Sequence, residues 1–172
     1  MSKSEEVATP LLVPGLTPKA ERGPVARVLP AMQLFTFRDG VAVRQPDPEL
    51  ATLRSWRESG ELMWLNVEGL ADRALLEQIG QVFALHPLAI EDVQVLNHRP
   101  KAERYGDVLF VVLRALVGEG RGVTEQFSIF FGEQFFITLQ EGHSGVVDAV
   151  EQRLKRRHRD VPLSVDELAY ET

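Results

Sequence analysis

The stretch HPLAIEDVQVLNHRPKAERYGDVLFVVL, residues 86–113, carries several structural signals in succession. Pro87 opens a short apolar helix that runs to about Val95 and holds two adjacent acids, Glu91 and Asp92. An Arg99-Pro100-Lys101 break follows. Lys101–Tyr105 then reads as a strand, Gly106-Asp107 as a turn, and Val108–Val117 as a long strand that is almost wholly apolar. A helix period and a sheet period therefore meet within one short segment.

Upstream, Met32–Arg38 and Val41–Gln45 flank Asp39-Gly40, a two-residue hairpin signal. Asp47 is an expected N-cap, with Pro48 in the first turn of a helix ending near Gly60. Met63–Val67 reads as a short strand. Asp72 opens a second helix that lines up Leu75, Leu76, Ile79, Val82 and Phe83 along one face. Downstream, Val123–Phe131 and Phe135–Gln140 are strands, with turns at Gly118–Gly122 and Gly132–Gln134. The VLFVVL and FFITL runs predict central strands covered on both faces. Ser144 is placed to cap a helix from Val146 to about Arg157. Roughly seven strands interleaved with helices define an α/β (α+β) class.

At 172 residues and 44% apolar composition, the chain can build one domain with a real core. A net charge of −6 argues against a nucleic-acid partner, because a phosphate-binding face needs a basic excess. With no cysteine there is no disulfide, thiolate metal site or Cys nucleophile. Residues 1–30 hold five of the ten prolines and few large apolar groups, so they read as a flexible arm preceding a domain over 31–172. They lack the pattern of a secretory signal. Val108–Val117 is far shorter than the roughly 20 residues that span a bilayer. No nucleophile–base pair or cofactor loop supports an enzyme. Gly118, Gly120 and Gly122 fall between two strands and read as a hairpin rather than a phosphate loop.

Near the end, Ser164-Val165-Asp166-Glu167 is a capping box announcing a helix. Only Leu168–Thr172 follow, and so short a helix is not stable alone. The expectation is a chain cut just after a helix begins.

Five ordered blocks carry a family likeness: WLNVEGL at 64–70, HPLAIEDV at 86–93, RPK-x-E at 99–103, DVLFVVL at 107–113 and EQFSIFFGEQFFITLQEG at 125–142. On these the chain resembles the cytoplasmic domain of the CorA family of divalent-cation transport proteins. The resemblance implies a mixed sheet between helices, followed in the full protein by a stalk helix, two membrane spans and a Gly-Met-Asn loop. It implies a homopentamer at the cytoplasmic face of the cell membrane, whose soluble domain senses Mg²⁺, with low Mg²⁺ favouring conduction. A zinc-transporting relative has the same architecture. By position, Glu91 and Asp92 match the acidic pair that binds regulatory ions between subunits. The chain departs from the family at Gln94-Val95, and at His98, where Gln is usual.

Read from the residues alone, Glu91-Asp92 is a solvated acidic pair. Carboxylates suit Mg²⁺, which takes one or two of them and keeps several waters. Adjacent helical residues point about 100° apart, so the pair needs ligands from elsewhere and binds weakly by itself. His86 and His98 bracket the pair, and imidazole favours Zn²⁺ or Co²⁺. The plainer reading makes His86 the cap of the helix opened by Pro87, and His98 a loop residue. Arg99 and Lys101 are assigned to structure beyond the helix C-terminus. The cluster Lys155–Arg159 reads as a solvated helix end.

Overall fold

The computed structural model describes residues 29–38, 41–96, 98–116, 124–143, 145–156 and 163–171. Its strands are β1 (Ala31–Arg38), β2 (Val41–Pro46), β3 (Met63–Glu68), β4 (Lys101–Tyr105), β5 (Val108–Leu116), β6 (Thr124–Phe131) and β7 (Phe135–Gln140). Its helices are α1 (Leu50–Ser59), α2 (Arg73–Phe83), α3 (Pro87–Gln94), α4 (Val146–Arg156) and α5 (Val165–Glu171). The strands form a 7-stranded sheet in the order β2-β1-β3-β7-β6-β5-β4. β3 and β7 pair in parallel, whereas the other described pairings are antiparallel, so the sheet is mixed as expected.

The parallel pair lies at the centre, and every residue of β3 and β7 is buried. Residues on one face, including Leu65, Val67, Ile137 and Leu139, pack against Leu53 of α1, Leu76, Ile79 and Phe83 of α2, and Ile90 and Val93 of α3. Trp64 and Phe136 on the other face join Phe35 and Ile129 under Val147, Val150 and Leu154 of α4 and Leu168 of α5. The sheet is therefore sandwiched between helices, the alternation of each strand supplying both cores.

Two expectations need correction. Asp47 does not cap α1: the N-cap residue is Glu49, without a side-chain cap hydrogen bond. Asp47 instead adopts a positive φ of 43°, and its Oδ1 accepts the Met32 N–H at 3.2 Å, tying the end of the hairpin back to its start. Pro48 is buried before the helix rather than inside its first turn. The second correction concerns VLFVVL. β5 buries Phe110 and Val112, but Leu113 on its other face is 44% exposed. The residues that pack under α4 and α5 come chiefly from β1, β3, β7 and β6, so this outer strand is covered fully on one side only.

Other expectations hold. Asp72 caps α2 by accepting the Leu75 N–H at 3.0 Å. Gly60 closes α1 at φ 69°, where a side chain would be strained. The capping box of α5 is reciprocal: Ser164 N–H donates to Glu167 Oε2 at 3.0 Å, and Glu167 N–H to Ser164 Oγ at 3.3 Å. The N-terminal arm up to residue 28, the Asp39-Gly40 and Gly118–Gly122 turns, the Ser144 cap and Arg157–Arg159 lie outside the described residues. No helix among the described residues is long and apolar enough to cross a membrane.

Candidate functional site

Helix α3 carries the acidic pair, and three contacts fix it. At its start, His86 Nδ1 accepts the Leu88 N–H at 3.3 Å, and the imidazole stacks on Tyr105 of β4 with ring centres 4.5 Å apart. At its end, the buried Gln126 of β6 donates through Nε2 to the Asp92 and Val93 carbonyls, each at 3.3 Å. Both carbonyls lie in the last turn of α3, where that of Asp92 also takes the capping Val95 N–H at 3.3 Å. Gln126 Oε1 also accepts the His98 N–H at 3.3 Å, so one side chain holds both the helix and the segment leaving it.

The third contact is Asp92 itself. Lys101 Nζ donates to Asp92 Oδ2 at 2.6 Å, and His98 Nε2 lies 3.3 Å from Oδ1, within ion-pair reach but without the alignment of a hydrogen bond. Lys101 also reaches Glu103 Oε2 at 3.2 Å, and the Tyr105 hydroxyl donates to that same oxygen at 2.8 Å. The hydrogen bond to Asp92 raises the Lys101 ammonium above its ordinary range against the opposing effect of burial. Tyr105 first, and Lys101 second, hold the Glu103 carboxyl below its ordinary range.

Glu91 faces elsewhere. It is exposed, and it lines a cleft of about 500 Å³ between α2 and α3 with Arg73, Glu77, Gln81 and Gln94 around it. Arg73 is paired with Glu77 at 2.7 Å. The two predicted site residues are thus adjacent in sequence but serve different surroundings. Their oxygens are the right donor type for a hard cation. In the present pairing, however, Asp92 has a partner close to each oxygen, and only Glu91 is presented to solvent. Among the described residues, no three His, Asp or Glu side chains come together as a metal cage. His86 lies on the helix cap and not beside Asp92, whereas His98 does approach it.

Sequence reasoning missed Gln126, and it missed a buried polar chain at the centre of the sheet. Trp64 Nε1 donates to Thr138 Oγ1 at 2.9 Å, and that hydroxyl donates to Asn66 Oδ1 at 2.8 Å. Gln140 Nε2 and Asn66 Nδ2 each donate to Glu68 Oε1 at 3.2 Å. His143 Nδ1 also sits 3.2 Å from Glu68, and its Nε2 sits 3.3 Å from Asp148 of α4. The available signal was the polar alternation of Asn66 and Glu68 within an otherwise apolar strand. In the basic cluster, Lys155 pairs with Glu151 at 2.8 Å.

Comparison with known proteins places these elements in a wider setting. Residues 59–172 match the family model described as CorA-like Mg2+ transporter protein. The chain is 26% identical over 110 residues to the cobalt/magnesium transport protein CorA of Thermotoga maritima, covering 62% of this chain and 31% of that protein. It spans about a third of the length of the curated relatives it matches. The fold is similar to the soluble domain of CorA from Methanocaldococcus jannaschii (TM-score 0.58, 10% identity, 81% of this chain and 53% of that one). It is equally similar to the ZntB cytoplasmic domain from Vibrio parahaemolyticus (TM-score 0.58, 11% identity, 81% and 54%).

Proposed function

The chain belongs to the CorA-like Mg2+ transporter protein family, and on that premise we propose that it is the cytoplasmic regulatory domain of a CorA-type Mg²⁺/Co²⁺ transporter. In this reading the transporter is a homopentamer, and Glu91 and Asp92 respond to divalent cations at its subunit interfaces. The observation that carries the reading is the family match across residues 59–172, with the acidic pair of α3 inside it.

The geometry supports a weak site completed from outside. Glu91 is exposed beside the α2–α3 cleft, where ligands of a neighbouring subunit can reach it. Facing carboxylates roughly 7 Å apart repel by about 2.4 kcal/mol at an effective dielectric of 20. A bound divalent cation supplies the positive charge that offsets this repulsion. Shifting a two-state equilibrium from 1:99 to 99:1 takes about 5.5 kcal/mol of differential binding. Roughly one kcal/mol at each of about five interfaces reaches that total, so no single tight site is required.

The test is transport by the full-length protein. Glu91→Ala combined with Asp92→Ala should leave uptake less inhibited by internal Mg²⁺. Inhibition equal to the wild type would sink the sensor reading. The alternative is the equivalent domain of a zinc-transporting relative, favoured by His98, whose imidazole stands 3.3 Å from Asp92. Uptake compared for Mg²⁺, Co²⁺ and Zn²⁺ separates the two.

A further inference from the structure

We propose that Lys101 is a resident competitor at the acidic pair: its ammonium occupies the Asp92 carboxylate and so sets the cation concentration to which the sensor responds. The inference rests on the sensor reading above, and it names the residue of this chain that regulates that site.

Lys101 is built to stay there. It sits on β4 in register with Val112, and its Nζ lies 5.8 Å from the centre of the Phe110 ring. Its side chain is only 26% exposed, and that of Asp92 24%. A tethered ammonium competes at a high effective concentration, whatever the level of free cation. It is also compact and strongly hydrated, like the hard cations it would exclude.

The same geometry gives Lys101 somewhere to go. Glu103 Oε2 lies 3.2 Å from Nζ, on the same strand and the same face. Release of Asp92 therefore leaves the ammonium paired, which avoids the large cost of an isolated, partly buried charge. The Tyr105 hydroxyl donates to the same Glu103 oxygen at 2.8 Å and orients it where Lys101 already reaches it. Asp92 belongs to α3 and Glu103 to β4, so the exchange also loosens a link between helix and sheet. A purely structural salt bridge needs no second acceptor.

Mn²⁺ is the probe, read by its electron paramagnetic resonance signal on the full-length protein at fixed ionic strength. Lys101→Met keeps the stem and removes the charge, and half-saturating Mn²⁺ should fall about tenfold. Arg104→Met removes the same charge three residues further along β4, on the opposite face of the strand. It should change binding by less than about twofold, because salt screens charges that are not in contact. Unchanged binding in Lys101→Met, or equal tightening in Arg104→Met, overturns the proposal. If Lys101→Met does not fold, Lys101→Arg decides. Its two-pronged grip on Asp92 should weaken Mn²⁺ binding about threefold, and unchanged binding overturns the proposal. Glu91→Ala with Asp92→Ala checks the sensor separately. Wild-type binding in that double variant sinks the sensor and the competitor together. Weakened binding there, with no effect of Lys101→Met, sinks the competitor alone.

Discussion

At the residue scale, the informative positions are charged groups that join a near partner to a distant one. Glu151 of α4 is nearly buried, with Arg44 of β2 at 3.0 Å and Lys155 at 2.8 Å. Burial by itself would raise its carboxyl, yet Lys155 and Arg44 outweigh burial and hold it below its ordinary range. A carboxyl depressed in the folded state stabilises fully above its unfolded range, and loses that contribution as pH falls through the folded one. Glu151→Gln should therefore cost about 1 kcal/mol at about pH 7 and close to nothing at about pH 3. Urea midpoints at both pH values check this, and a gap that widens in acid would contradict it. Residues with a local role were the legible ones. Asp72 and Ser164 cap the helices they precede because a cap needs only a neighbouring N–H. Asp47 was misread because its partner is Met32, 15 residues away.

At the element scale, close approaches set what each connection tolerates. The turn between β6 and β7 passes under Phe135, and a Cβ added at Gly132 would lie 2.2 Å from that ring. Phe135 is buried, packs on Phe83 at 5.1 Å and lies beneath the Arg57 guanidinium at 5.2 Å. The ring has little freedom to yield, so Gly132→Ala should destabilise by about 1–3 kcal/mol, the range for overpacking. Thermal unfolding would read it, and a change below a few tenths of a kcal/mol would show that the ring moves freely. Helix α2 was legible because its apolar face repeats at helix spacing, and β7 because it is a continuous apolar run between turns. The half-covered state of β5 was not. Continuous apolar residues look alike whether one face or two are covered, and coverage depends on where α4 and α5 end up.

At the scale of the whole molecule, the parallel β3–β7 pair joins segments about 70 residues apart, and its polar chain holds them in register. Thr138→Val would leave Trp64 Nε1 without its acceptor in the buried centre of the sheet, while Asn66 Oδ1 keeps the Gln140 Nε2 donor at 3.4 Å. Stranding a buried polar group costs about 1–3 kcal/mol, so a loss of about 1–3 kcal/mol is expected in urea unfolding. A loss under about 1 kcal/mol would mean that water or rearrangement replaces the network.

The sequence by itself determined the strand and helix inventory, the α2 and α5 caps, the family likeness and the position of Glu91-Asp92. Each depends on neighbours within a few residues or on ordered motifs. Only the tertiary structure decided that Asp92 is held by Lys101 and His98, that Gln126 finishes α3, and that Glu91 opens onto the α2–α3 cleft alone. Charge pairing acts through space over a few ångströms, and the fold brings α3, β4 and β6 together at one end of the acidic helix. Two adjacent carboxylates in the chain thus become one acid already paired within the fold and one presented outward.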